Sequence, residues 1–386
     1  MSRSFKCVLL VIMTTALTCG FLHHVVPPAV LNFERLHIFL FNLCSGGTLL
    51  LYFTEGRVAL SLRAATFLLL SLAFALCAFF HWYLPAMLLP LILGVLVEQV
   101  RIDHFGSCFP RALFSPRERV SRKFHQAALL CLSLGLFLSC PVILNSEYLR
   151  WIIIEKLTLD TFFLGFSFPI SLISMAVIFT LMKDEILRLT TLLKETAFWI
   201  INVGVIIFFI FILADMFTSQ VAIATLLFFA VILVLYLYWH EGKPLQQKAF
   251  LTSGIVFLLI TSITGIAYIF FSFSSAYTSE ISYPLLRLHA FTALYGWNIS
   301  GLVVISRHGD FPLQLHSPTV ILLHWLTVLI LCPLGYFIPM FAVLAVLAYG
   351  WLLTRLFFNQ GRVDEQLTAL QEEKLALNLA SAHSRK

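Results

Sequence analysis

The chain has 386 residues, of which 60% are hydrophobic and 11% are charged. Soluble domains contain roughly 25% charged residues, so this composition excludes an ordinary soluble protein and predicts an all-α, polytopic helix bundle in the lipid bilayer. The net charge of +6 does not indicate a nucleic-acid partner, because the basic residues lie mainly between the apolar segments.

Twelve segments are apolar and long enough to cross a membrane, which takes about 20 residues in a helix. In chain order they are residues 5–22, 36–53, 64–80, 83–100, 126–144, 161–182, 196–217, 220–239, 249–273, 286–305, 319–338 and 339–357. Residues 1–358 are therefore predicted to form a transmembrane bundle. The polar residues 359–386 are predicted to form a helical cytoplasmic C-terminal tail, which either lies against the bundle or docks a partner.

The first segment has some features of a secretory signal peptide. Two basic residues precede its apolar stretch, as in the basic start of such a peptide. His23 and His24 follow, however, where a cleavage site would need small residues. This pattern favours a first helix that is not cleaved.

The basic residues alternate between the two sides of the predicted bundle. With the N-terminus inside, only four of the 25 Lys and Arg residues fall outside, namely Arg35, Arg150, Lys156 and Arg287. Loops that stay in the cytoplasm carry an excess of Lys and Arg. The sequence therefore predicts an integral protein of a bacterial cytoplasmic (inner) membrane, with both termini in the cytoplasm.

Segments two and ten share a short pattern near their predicted outer ends. Segment two begins with Arg35-Leu36-His37-Ile38-Phe39, and segment ten begins with Arg287-Leu288-His289-Ala290-Phe291. A histidine inside hydrocarbon is costly, so it suggests a functional site. Two histidines at the same depth can bind one haem iron from opposite sides, with arginines beside the propionates.

Small and aromatic residues follow both histidines. Glycine lets a flat ring or another helix approach the backbone closely. The predicted cofactor-binding residues are therefore His37, His289, Arg35, Arg287, Gly46, Gly47, Tyr295 and Gly296, with His37 and His289 as ligands of the haem iron. The eight cysteines form no Cys-x-x-Cys-His motif, so the expected cofactor is a non-covalent haem b.

A simpler explanation of the same residues needs no cofactor. Arginine and histidine near a helix end can extend toward the membrane surface and do nothing more. Glu34 can also form an ion pair with Arg35, its neighbour in sequence.

Segments two and ten resemble the haem-binding helices of the haem-copper oxidase and nitric oxide reductase large-subunit superfamily. That resemblance implies twelve spans with both ends inside and a low-spin haem between His37 and His289. The departures are substantial, because segments six and seven contain no histidine and Phe291 is the ring residue nearest to the place of a second histidine on segment ten. The chain is thus not a functional haem-copper oxidase. The resemblance implies an electron-transfer or quinol-linked protein, working alone or as an oxidoreductase subunit, with a quinone or a redox subunit as its partner.

Two other functions fit the same segments. Twelve spans with both ends inside is also common among secondary transporters, although the two halves of this chain show no clear symmetry. A non-catalytic scaffold or assembly subunit would use the polar tail and the basic loop 101–125 as contact surfaces. Glu98, Asp215 and His324 are further polar residues in or near segments, and the first two are candidates for a proton relay.

Overall fold

The protein is an integral membrane protein with an all-α fold. The computed structural model describes residues 1–27, 31–57, 59–154, 156–183, 188–245, 247–274, 279–307, 315 and 317–359. These ranges contain twelve helices that are long and apolar enough to cross a membrane, and no β-sheet. The predicted fold class is confirmed. The predicted tail lies outside the described residues, apart from its first residue.

Each predicted segment overlaps one membrane helix. The helices are α1 (Arg3–His24), α2 (Phe33–Glu55), α3 (Leu62–Phe79), α4 (Tyr83–Phe105), α5 (Val120–Leu149), α6 (Phe163–Thr180), α7 (Arg188–Leu213), α8 (Phe217–Glu241), α9 (Lys248–Ser272), α10 (Pro284–Ser306), α11 (Pro318–Phe337) and α12 (Pro339–Phe358). A short helix, Leu157–Phe162, leads directly into α6.

Helix α5 begins at Val120, six residues before its predicted start. Four of the six added residues are polar, but the side chains of Lys123 and His125 have partners inside the protein. The Lys123 ammonium lies 2.7 Å from the Glu195 carboxylate of α7, and His125 Nε2 lies 2.7 Å from Thr54 Oγ1 of α2. Buried polar groups that are paired in this way do not end a helix, which the apolar pattern alone could not indicate.

The helices differ in how deeply they are buried. In the most apolar stretch of each helix, 89% of the residues are buried for α2 and 78% for α10, against 22% for α7 and 28% for α8. Helices α2 and α10 are therefore central, and α7 and α8 lie at the periphery. The two helices that carry the predicted site are thus in the core of the bundle.

Close helix contacts depend on small residues. Gly135 of α5 and Gly165 of α6 face each other so closely that a Cβ atom on either would meet the backbone of the other. Gly301 of α10 approaches Ser174 of α6 in the same manner. Helices in a membrane associate largely through such packing, because burial of apolar surface gives no driving force in lipid.

Both central helices contain a π-helical stretch soon after their histidine. In α2 it covers Phe39–Gly47, and in α10 it covers Thr292–Asn298. A π-helical turn shifts the backbone hydrogen bonds by one residue and is frequent at functional sites. The two stretches change which side chains and carbonyls face the core just beyond His37 and His289.

Candidate functional site

His37 is buried and lies against α1. Its Nδ1 is 3.2 Å from the carbonyl oxygen of Ala16. Gly20, one turn further along α1, gives the ring room, since a Cβ atom there would lie 3.0 Å from Nδ1. A carbonyl only accepts hydrogen bonds, so the contact with Ala16 requires the tautomer that carries its hydrogen on Nδ1. The neutral ring then carries its free lone pair on Nε2.

His289, which is partly buried, makes a corresponding contact on a different pair of helices. Its Nδ1 is 2.9 Å from the carbonyl oxygen of Thr261 on α9. Gly265, one turn further along α9, again leaves room for the ring, because a Cβ atom there would lie 3.0 Å from Cε1 of His289. The carbonyl sets the same tautomer, with the Nδ1 hydrogen donated and the lone pair on Nε2.

We call these two arrangements the histidine seats. One consists of Ala16, Gly20 and His37, and the other of Thr261, Gly265 and His289. In both, the preceding helix supplies a carbonyl and then, four residues later, a glycine. The sequence pattern around the two histidines does not include these four supporting residues. The signal was present as small residues four apart in segments one and nine, a spacing typical of close helix contacts.

The second ring nitrogen of each histidine has no protein partner in the described ranges. Nε2 of His37 and Nε2 of His289 make no hydrogen bond to any residue there. A histidine that ligates a metal through one nitrogen almost always donates the other N–H to a carbonyl, a carboxylate or water. In each seat, Nε2 is therefore the ring nitrogen left to bind a metal or another ligand.

Tyr295 connects the two central helices. Its hydroxyl is 2.9 Å from Nδ1 of His37, and its ring lies 5.6 Å from the His37 ring. The Tyr295 carbonyl accepts a hydrogen bond from Nε2 of His324 on α11 at 2.6 Å. The π-helical stretch explains this contact, because Ile299 N–H donates to Leu294 and not to Tyr295 as it would in an α-helix.

A series of aromatic contacts leads from His37 to α1 and α10. The Tyr295 ring lies 6.2 Å from the ring of Phe291, which lies 5.9 Å from the ring of Phe21. His37 and His289 share no hydrogen bond and no ring contact in the described ranges. The predicted site residues His37 and Tyr295 are therefore adjacent, whereas His289 contacts α9.

The two predicted arginines have different surroundings. Arg287 forms an ion pair with Glu34 at 2.8 Å and stacks on the Tyr336 ring, whose centroid is 4.3 Å from the guanidinium carbon. The Tyr336 hydroxyl also donates to Glu34 at 3.3 Å. Arg35 is exposed and lines a crevice on another side of α2, with Phe39. Glu34 thus pairs with Arg287 rather than with Arg35.

The three predicted glycines pack against neighbouring helices. A Cβ atom would lie 2.6 Å from Ile170 of α6 at Gly46 and 2.9 Å from Phe67 of α3 at Gly47. At Gly296 it would lie 2.5 Å from Phe257 of α9. These glycines allow close helix approach, which was one of their two expected roles.

Glu98 and Asp215, the two predicted proton-relay candidates, take part in ion pairs. Glu98 pairs with Arg101 at 2.5 Å, and Asp215 pairs with Lys156 at 3.1 Å. His324 is fully buried, and its Nδ1 has no hydrogen-bond partner in the described part of the chain. Within those same ranges, no three His, Cys, Asp or Glu residues are grouped to hold a metal ion without a cofactor.

Comparison with family models, curated proteins and solved structures finds no match to this chain. The resemblance of α2 and α10 to haem-binding helices therefore depends on their own residues and on the count of twelve spans.

Proposed function

We propose that the protein is a membrane-embedded electron-transfer protein that binds haem b through His37 and His289. The observation that carries this proposal is the presence of two matching histidine seats on the two most buried helices. Each seat fixes one ring nitrogen with a carbonyl and leaves the other available. A histidine with only a structural role would not need this arrangement, and here it occurs on both central helices.

The residues around the seats have separate tasks in this proposal. The carbonyls of Ala16 and Thr261 fix the tautomer and orientation of the two imidazoles, which also raises their basicity as ligands. The Tyr295 hydroxyl adds a second polar contact to His37 Nδ1 and so ties that ligand to α10. Bound haem would supply reversible one-electron chemistry whose potential depends on the axial ligands and their hydrogen bonds.

The electron partner and the orientation belong to the same proposal. The haem would exchange electrons with a quinone or with a redox partner subunit. The end of the bundle that carries Arg35 and Arg287 would face away from the cytoplasm, as the distribution of Lys and Arg indicates. Of the two arginines predicted for the propionate side, only Arg287 would lie there, because Arg35 lines a crevice on another side of α2.

The test is a reduced-minus-oxidised visible spectrum of protein purified from haem-replete cells. We expect a low-spin b-type spectrum in the wild type and its loss in His37→Ala and in His289→Ala. His240→Ala is the matched control, because His240 is exposed at the end of α8. A wild-type spectrum without haem bands, or bands that persist in both seat variants, would contradict the proposal.

A further inference from the structure

Residues 106–119 form the α4–α5 loop, which presents two exposed phenylalanines. Phe109 is 64% exposed and Phe114 is 63% exposed, whereas Leu113 between them is buried. Large apolar side chains that are exposed together on one short segment indicate an interaction surface. The α4–α5 loop is therefore a candidate contact surface.

Buried side chains fix the start of this loop. Arg101 of α4 is 1% exposed, and it donates hydrogen bonds to the carbonyl oxygens of Cys108 at 2.6 Å and Ser107 at 3.5 Å. Its guanidinium also binds both carboxylate oxygens of Glu98. The short 3₁₀ helix Arg111–Phe114 continues the loop. The two phenylalanines are therefore exposed on a loop with a defined conformation.

Phe114 continues a lipid-facing surface of α7. Its ring centroid lies 5.6 Å from that of Trp199, a residue near the start of this peripheral helix. From Trp199 onward, exposed apolar side chains recur every three or four residues and so share one face of the helix, namely Val203, Ile206 and Ile210. Tryptophan is enriched where a membrane helix meets water. Phe114 therefore lies at the membrane surface, beside lipid.

The α4–α5 loop is also basic. It contains three arginines and one carboxylate, Glu118, which lies 3.8 Å from Arg122 of α5 and so has its charge already paired. Arg111 and Arg117 are exposed, and their guanidinium groups make no hydrogen bond or ion pair within the described ranges. These two cations lie close in sequence to the exposed phenylalanines. Segments that combine exposed aromatic rings with basic residues bind anionic lipid surfaces.

We propose that the α4–α5 loop binds anionic phospholipid at the membrane surface. Phe109 and Phe114 would lie among the acyl chains near the head groups. Arg111 and Arg117 would contact the lipid phosphates, since arginine is well suited to phosphate oxygens. The proposed orientation assigns this contact to the cytoplasmic leaflet, whereas the preference for anionic lipid depends on neither the orientation nor haem.

The test measures which lipid lies beside the loop. The two exposed native cysteines are replaced (Cys7→Ser, Cys108→Ser), and Phe114→Cys or Phe109→Cys then carries an uncharged fluorophore. Serine at position 108 keeps the backbone carbonyl that Arg101 binds. The full-length protein is placed in vesicles of equal phosphatidylglycerol and phosphatidylcholine, with a quenching nitroxide on an acyl chain of only one of the two lipids. The surface charge of the vesicle is thus the same in both measurements.

We expect lipid quenching at both labelled positions. Phosphatidylglycerol should be enriched about fivefold over phosphatidylcholine beside the label, the effect of a basic residue near an anionic surface. Equal quenching by the two lipids would overturn the proposal. So would the absence of quenching by either lipid, which is the result expected for a surface that docks a protein. The second labelled position keeps the test informative if one of the two variants fails to fold.

Substitution of the arginines assigns the lipid preference. Arg111→Gln and Arg117→Gln are each expected to reduce the enrichment of phosphatidylglycerol. The double variant is expected to abolish it, while quenching by both lipids persists because the aromatic contact with lipid remains. Arg57→Gln is the matched control, because Arg57 is exposed at the same end of the bundle but lies between α2 and α3. Undiminished enrichment in the double variant would overturn the proposal.

A label elsewhere at this end of the bundle tests whether the preference belongs to the loop. His240 is exposed at the end of α8, so His240→Cys provides that position. We expect no enrichment there, since the nearby Lys248 ammonium donates to the carbonyl oxygens of Trp239 and Gly242. Enrichment at His240→Cys equal to that at Phe114→Cys would show a general attraction of lipid to the basic side and would contradict a specific contact.

Discussion

The hydroxyl of Tyr295 lies 2.9 Å from Nδ1 of His37, so a residue of α10 contacts the imidazole carried by α2. The carbonyl of the same tyrosine accepts a hydrogen bond from Nε2 of His324 on α11. Tyr295 thus joins three helices through polar contacts in a fully buried position. In the π-helical stretch of α10, the Ile299 N–H donates to Leu294 and not to Tyr295. The Tyr295 carbonyl is therefore available to His324.

Replacing Tyr295 by phenylalanine tests the contact to His37. The ring and the backbone carbonyl remain, and only the hydroxyl is lost. We expect Tyr295→Phe to lower the free energy of unfolding by about 0.5–1.5 kcal/mol, the range for one hydrogen bond inside a protein or membrane bundle. Reversible denaturation in mixed micelles measures this change.

Tyr349 is the matched control for that variant. It is buried, its ring lies 5.0 Å from the Tyr295 ring, and its hydroxyl has no hydrogen-bond partner in the described part of the chain. Tyr349→Phe is therefore expected to be neutral or slightly stabilising, because it removes an unsatisfied buried polar group. Equal destabilisation by both substitutions would show that the Tyr295 hydroxyl makes no special contribution.

Alanine at the seat glycines tests the two seats directly. In Gly20→Ala the new Cβ would lie 3.0 Å from His37 Nδ1, and in Gly265→Ala it would lie 3.0 Å from His289 Cε1. Each substitution pushes an imidazole away from its carbonyl. We expect both variants to lose most of the haem signal in the visible spectrum and to retain the twelve-helix fold by circular dichroism.

Gly350→Ala provides the comparison for the seat glycines. A Cβ atom at Gly350 on α12 would lie 3.8 Å from Thr14, which is ordinary van der Waals contact. We expect this variant to keep both the fold and the haem signal. If all three alanine variants bind haem as the wild type does, the seats do not position iron ligands.

The ion pair between Glu34 and Arg287 is expected to couple α2 to α10. Its side chains are 29% and 20% exposed, respectively, and the pair also contacts Tyr336. A double-mutant cycle of Glu34→Gln with Arg287→Gln should give a coupling energy of about 1 kcal/mol, near the upper end for incompletely buried pairs.

The pair of Lys156 with Asp215 provides the reference for that cycle. These side chains are 50% and 73% exposed, so solvent screens their interaction more strongly. The corresponding cycle of Lys156→Gln with Asp215→Asn should give a coupling close to zero. A larger coupling for this exposed pair than for Glu34 with Arg287 would contradict the proposed link between α2 and α10.

The proposed orientation predicts which cysteine a membrane-impermeant reagent reaches. Cys108 is exposed in the loop between α4 and α5, and the proposal places this loop in the cytoplasm. An impermeant maleimide should therefore label Cys108 only after the cells are permeabilised. Ile153→Cys is the matched site on the opposite side, since Ile153 is 90% exposed between α5 and α6, and it should react in intact spheroplasts. Labelling of Cys108 in intact cells together with protection of Ile153→Cys would show that the orientation is opposite to the proposed one.

The sequence was sufficient to predict the fold because the hydrophobic composition of a segment largely determines whether it crosses a membrane as a helix. Each apolar segment must satisfy its own backbone in lipid, so length and hydropathy alone locate a helix. The start of α5 was missed because Lys123 and His125 are polar in sequence but paired in the fold. Pairing between helices that are distant along the chain leaves no periodic signal.

The site was predictable only in part. The shared pattern around His37 and His289 directed attention to the two central helices. It could not indicate that His37 packs against α1 and His289 against α9, because those contacts depend on how the helices are arranged in space. The alternative pairing of Glu34 with Arg35 is not found in the described part of the chain, for a simple geometric reason, since adjacent residues on a helix do not face each other. Arg287, from a distant helix, occupies that position instead.

The central claim is that both seats hold ligands of one haem iron. The most direct measurement is the near-infrared magnetic circular dichroism of the oxidised protein, combined with its haem content per chain. We expect a single haem with the charge-transfer band of low-spin ferric iron bound by two imidazoles, which Gly350→Ala retains. A protein that takes up no haem when cells have it in excess, or a haem with any other pair of axial ligands, would contradict the account.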